Sequence, residues 1–138
     1  MADLPKSPVM IRQRRDQLLT MKNNMIGQPV NLFPPEQTLR EQEWTLVECD
    51  GGTALLNNDH KTFAGVKGMP EPRSKIIAFP EPFKLSLKFA GPGHYHMRHY
   101  TPSGKELYVV CAMPPTMPLC VELSETPGEP WEIQSTKG

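Results

Sequence analysis

The sequence lacks any long apolar run. Nothing in it approaches the roughly 20 consecutive apolar residues of a membrane-spanning helix. No early stretch joins a basic start to an unbroken apolar segment, so neither an anchor nor a secretory leader is expected. It also lacks net charge: 15 basic residues balance 15 acidic ones. That balance removes the bulk attraction to nucleic acid or anionic lipid. Only three cysteines occur, Cys49, Cys111 and Cys120. An odd count makes no even disulfide framework and fits reduced thiols in a cytoplasmic setting. A glycine-rich phosphate loop, a nucleophile elbow and an HExxH helix are all missing. No cofactor is expected, and no motif dictates an enzymatic chemistry.

What the chain does hold is proline, 16 residues of it in 138, and eight methionines. The length suits one domain with a real core. Proline at this density breaks long helices and favours short strands between defined loops. The exception is "SPVMIRQRRDQLLTMKNNMIGQP", which predicts a helix. Ser7 would cap it, Pro8 suits the first helical position, and Gly27 with Pro29 would close it. Ile11, Leu18, Met21 and Met25 then fall on one side. A proline-stiffened arm containing Leu32, Phe33, Pro34 and Pro35 follows. The expected organisation is therefore residues 1–43 as helix and arm, and residues 44–138 as a β-rich domain.

From Trp44 onward the pattern is that of strands. "EWTLVECDGGTALLNN" reads as a hairpin, with Asp50-Gly51-Gly52 supplying a tight primed turn. In "FKLSLKFAG", Phe83, Leu85, Leu87 and Phe89 alternate with polar residues and predict one buried face. Short strands at "LCVELS" and "WEIQS" follow, while residues 57–75 read as a long surface loop. No internal repeat stands out. The expected fold is mainly β: an antiparallel sandwich or partly open barrel of six to seven short strands.

Three of the four histidines lie in "GPGHYHMRHYTPSGKELYVVC". Pro102 and Gly104 suit a three-residue hairpin loop. That loop sets Tyr100 against Glu106, His99 against Leu107 and Arg98 against Tyr108. Alternation then sends His94, His96, Arg98 and Tyr100 to a polar face and His99 to the opposite one. The reading favoured by this register is an exposed recognition face. The alternative is a small metal-binding protein or metal-dependent enzyme using His94 and His96, with a third ligand from His60, Glu106 or an acid elsewhere. "CAMPPTMPLC" gathers Cys111, Met113, Met117 and Cys120, soft ligands that equally fill irregular core gaps. Tyr95, Tyr100 and Tyr108 with Arg98, Lys84 and Lys88 make a weak case for single-stranded nucleic acid.

The functional expectation is a non-enzymatic structural or binding module. It would dock onto copies of itself or a larger protein assembly, such as a virion, where it would be an accessory or decoration protein. The helical stripe and arm would carry the contact through Ile11, Leu18, Met21, Met25, Leu32 and Phe33, with Arg14 and Arg15 available to acidic groups. A basic N-terminal stretch and an acidic C-terminal one suit head-to-tail contact.

Overall fold

The computed structural model describes residues 4–14, 16–23, 25–35, 39–115 and 117–136. Twelve strands follow one another: β1 (Val9–Gln13), β2 (Gln17–Thr20), β3 (Asn31–Phe33), β4 (Trp44–Cys49), β5 (Gly52–Asn57), β6 (Phe63–Gly65), β7 (Ile77–Phe79), β8 (Ser86–Gly91), β9 (His94–Tyr100), β10 (Glu106–Cys111), β11 (Leu119–Ser124) and β12 (Trp131–Ser135). A short 3₁₀ turn at Leu39–Gln42 precedes β4. Neighbouring strands run β12–β9–β10–β11–β3–β2–β1, and β1 pairs back onto β12, which closes a seven-strand barrel. β4 to β7 extend from β1, and β8 lies on β9.

The predicted N-terminal helix is not present; among the described residues there is no α-helix. In its place stand β1 and β2, paired Arg12 to Leu18 and Gln13 to Gln17. Ile11 and Leu18 share an interior because a hairpin, not two helical turns, separates them. The chain reverses at Arg14, whose φ is 51°. Ser7, read as a helix cap, instead accepts the amide of Leu46 at 2.8 Å. Gly27, with φ 96°, completes the turn Met25–Gln28, in which the Gln28 amide donates to the Met25 carbonyl. The supposed arm contributes β3, and residues 9–33 help to close the same barrel as residues 94–135. The loop expected over 57–75 contains β6, which pairs with β5 and β7.

The pairings repeat three times at intervals of four strands. Val9 faces Trp44, Thr53 faces Leu85, and Tyr95 faces Trp131. Two residues further along, Ile11 pairs with Ile133, Leu55 with Leu46, and Met97 with Leu87. The hairpins β2–β3, β6–β7 and β10–β11 add the pairs Leu19–Leu32, Ala64–Ala78 and Val109–Leu123. All of these except Thr53 belong to, or pack against, a single hydrophobic core. The core is therefore built from three sets of cross-strand pairs on approximately equivalent positions.

Two tryptophans occupy the same place in the first and third units. Trp44 and Trp131 are fully buried. Their indole N–H groups donate to the carbonyls of Leu19 and Val109, at 2.9 Å each. Leu85 stands at the matching point of the second unit. There, β5 is approached so closely that a Cβ on Gly52 would lie 2.7 Å from the Leu85 carbonyl oxygen. Gly52 is thus required by backbone proximity.

Replacing Trp44 or Trp131 by phenylalanine keeps an aromatic ring but strips a buried carbonyl of its donor. Each change is expected to lower unfolding stability by about 1–3 kcal/mol, measured by urea denaturation. Gly52→Ala is expected to cost a similar amount, about 1–3 kcal/mol, through overpacking.

Candidate functional site

The most developed polar surface lies on the outer face of β8, β9 and β10. Its register follows from the reversal after Tyr100. The Thr101 amide donates to the Lys105 carbonyl at 2.9 Å, and the Gly104 amide to the Thr101 carbonyl at 2.8 Å. Gly104 takes φ 88°. Tyr100 pairs with Glu106, His99 with Leu107, and Arg98 with Tyr108, as the sequence predicted.

The histidines therefore diverge. His99 stacks on Phe83 with ring centroids 4.3 Å apart. Its Nδ1 lies 2.9 Å from the Lys84 carbonyl, an acceptor only, so this nitrogen carries the proton. His94 similarly donates from Nδ1 to the Pro92 carbonyl at 2.8 Å. His96 meets the Tyr108 ring edge-on at 5.8 Å. Among the described residues, no third histidine, cysteine or carboxylate joins His94 and His96 within ligating reach.

At the centre of the face is Glu106. Its Oε1 accepts the Tyr108 hydroxyl. Its Oε2 accepts the Tyr100 hydroxyl at 3.0 Å and Arg98 Nη1 at 3.1 Å. Arg98 Nη2 reaches across to Ser86 Oγ on β8 at 3.2 Å, and the guanidinium lies 5.5 Å from the Tyr100 ring centroid. A small cleft of about 80 Å³ opens beside these groups, lined by Lys84, Ser86, Arg98, His99 and Tyr100. The hydroxyls of Tyr108 and Tyr100, together with Arg98, hold the Glu106 carboxyl below the usual glutamate range. Glu106 in turn pushes both phenols above the usual tyrosine value.

The residues expected to meet a partner are distributed otherwise. Ile11, Leu18, Met21 and Leu32 are at most 2% exposed, inside the chain's own core. Phe33 is half-buried, with the Lys22 ammonium 4.8 Å from its ring centroid. Met25 is exposed on its turn and Arg14 lies at the β1–β2 reversal; Arg15 is outside the described residues. The soft-ligand group does not converge either: Cys111 and Cys120 are buried, whereas Met113 and Met117 face solvent. Phe89, expected inside, is 54% exposed, because β8 pairs only with β9 and its register slips between Phe89 and Gly91. Ser86 was not anticipated as a partner of Arg98; Gly91-Pro92-Gly93 marks the β8–β9 turn, but the contact depends on a register that slips between Phe89 and Gly91, which the turn residues do not specify.

Sequence comparison with known families and with curated proteins gives no match. Solved structures do match in shape. A designed three-fold symmetric protein, ThreeFoil, superposes with a TM-score of 0.70 at 17% identity, covering 92% of this chain and 97% of that one. A ricin B-like lectin of Macrolepiota procera, solved with lactose, gives a TM-score of 0.74 at 14% identity, covering 97% and 99%. The architecture is a β-trefoil. A chain of the cytolethal distending toxin of Actinobacillus actinomycetemcomitans is also similar, with a TM-score of 0.68 at 15% identity over 93% of this chain and 91% of that one. The trefoil accounts for the threefold pairing and for the closed barrel where a sandwich or partly open barrel was expected.

The linked titrations can be followed optically. Phenol ionisation, recorded at alkaline pH, is expected to begin later for Tyr100 and Tyr108 than for a free tyrosine. Glu106→Ala should return both towards 10, the ordinary value. Because Glu106 is depressed in the fold, its contribution to stability is present above the ordinary glutamate range. It should fade as pH falls through the folded-state pKa.

Proposed function

We propose that this trefoil is a non-enzymatic binding module that recognises carbohydrate on the β8–β9–β10 face. The observation that carries the reading is the Glu106 carboxylate fixed by two phenols and Arg98 beside the half-exposed ring of Tyr100. Sugar hydroxyls both donate and accept hydrogen bonds. A carboxylate, a guanidinium and a serine hydroxyl offer both kinds of partner, and an exposed aromatic ring provides an apolar platform. The groups are locked to one another on strands, so little conformational entropy is lost when a ligand arrives. The lactose-bound lectin of the same fold supports the reading.

The electrostatics favour binding over catalysis. A carboxylate with a lowered pKa is a weak general base, and phenols with raised pKa values hold their protons. Burial likewise pushes the Cys111 thiol up, away from a reactive thiolate.

The test is retention on immobilised glycans, with lactose among the probes. The wild-type chain is expected to be retained. Tyr100→Ala and Glu106→Gln should each weaken retention by roughly tenfold, about 1.4 kcal/mol, while circular dichroism shows that both variants remain folded at the assay temperature. If no glycan retains the wild type, or both variants bind as well as it does, the proposal fails.

A protein ligand is the second reading, and a different surface favours it. Met25, Ile26, Met69, Met113 and Met117 are 56–94% exposed. They lie on the loops of the three hairpins, which are joined to each other through Pro29–Ile77, Lys75–Glu122 and Leu119–Leu32. Methionine is common on adaptable protein-binding surfaces. A partner assembly would meet these loops, since Ile11, Leu18, Met21 and Leu32 are internal and Met25 alone of the helical stripe faces solvent. The virion setting rested on that stripe and loses its support. Light scattering should give a native mass above the 15.5 kDa of one chain if the loops bind a second copy. Met25→Ser with Met117→Ser should then restore the monomer.

A further inference from the structure

We infer a divalent transition-metal site at Glu41, Asp59 and His60, remote in sequence from the Glu106 face and independent of the carbohydrate reading. Glu41 lies in the 3₁₀ turn before β4, and Asp59 and His60 follow β5. His60 Nε2 is 3.0 Å from Glu41 Oε2 and 3.8 Å from Asp59 Oδ2. One ligand atom from each residue lies within 4.8 Å of the other two. An ion about 2.0–2.2 Å from each would separate its ligands by roughly 3.4 Å, which small rotations here supply.

The arrangement of the flanking cations makes this more than a group of neighbouring acids. Lys22 approaches Glu41 through Oε1 at 4.0 Å, and Arg40 approaches Asp59 through Oδ1 at 3.6 Å. Each cation takes the oxygen that does not face His60. Oε2 and Oδ2 are left turned towards the imidazole, and the three side chains are only 17–38% exposed. The backbone beneath is fixed by one fully buried amide. Asn57 Nδ2 donates to the Glu41 carbonyl at 3.0 Å, while its Oδ1 accepts the amides of Asp59 and His60 at 3.1 and 3.0 Å. Asn57 is therefore a positioning residue for both halves of the site.

One imidazole nitrogen and two carboxylate oxygens select a borderline ion such as zinc, cobalt or manganese. Calcium prefers oxygen alone, and copper(I) prefers sulfur. The imidazole would bind the ion through Nε2 as the neutral ring, with its one proton on Nδ1. Three protein ligands leave a coordination position open to water or a ligand oxygen.

The experiment is calorimetric titration of the metal-free full chain with zinc chloride, paired with the visible absorption spectrum of the cobalt-loaded protein. One ion per chain is expected. His60→Ala and Glu41→Gln should weaken binding by roughly tenfold or more and abolish the cobalt spectrum. The double variant His94→Ala/His96→Ala should bind as the wild type does. The absence of zinc heat and of a cobalt spectrum would overturn the site, as would binding that survives His60→Ala or vanishes with His94 and His96. Because the readouts are heat and absorption of the metal, a negative glycan assay has no bearing on them.

Discussion

Closure of the barrel between its first and last strands is the constraint on which the rest depends. Val9, Met10, Ile11 and Arg12 pair with Ser135, Gln134, Ile133 and Glu132. The Thr136 amide and hydroxyl both donate to the Pro8 carbonyl just beyond. Without this seam β1 and β12 would each present a free edge. The seam also decides what the N-terminal residues are. Ile11 is worth more paired with Ile133 in the core than on an isolated amphipathic helix, which would be marginal in water. Tertiary pairing here overrides a respectable set of helix signals.

A second regularity shows how each unit is tied to the next. Gln13, Asn57 and His99 occupy matching positions at the ends of β1, β5 and β9. Each donates a side-chain hydrogen bond to a backbone carbonyl just ahead of β12, β4 and β8: Glu129, Glu41 and Lys84 respectively. Three different side chains do one task. In two units the lead-in segment then delivers a tryptophan whose indole caps a hairpin carbonyl; in the second unit Leu85 fills the place without that bond. The structure tolerates chemical divergence because geometry, not residue identity, is repeated.

That divergence explains what could be read in the sequence and what could not. The β4–β5 hairpin was legible because Asp50 and Gly51 both take positive φ, at 46° and 80°, as a primed turn demands. The polar strand face was legible because Pro102 and Gly104 fixed its register. The N-terminal hairpin was hidden, since its reversal rests on a left-handed arginine rather than on glycine. The threefold repeat was hidden too. Leu19, Ala64 and Val109 share a position while differing in size, and only "WTL" and "WEI" retain a visible echo. The Glu41–Asp59–His60 group joins residues on either side of a hairpin, and no spacing rule connects them.

The outer faces differ where the interior repeats. At one matching position Arg12 sits opposite β12 and Arg98 opposite β8. Arg12 has Glu132 at 3.5 Å, while Arg98 has Ser86 at 3.2 Å and turns its other nitrogen to Glu106. In the first unit the guanidinium is neutralised across the strand pair. In the third, a serine replaces the acid, and the guanidinium is free to organise a carboxylate and two tyrosines. One short hydroxyl on β8, in place of a carboxylate, thus stands where the first unit has a strand-to-strand ion pair and leaves Arg98 to pair with Glu106. The scaffold supplies the rigidity, and the unequal residues upon it supply the chemistry.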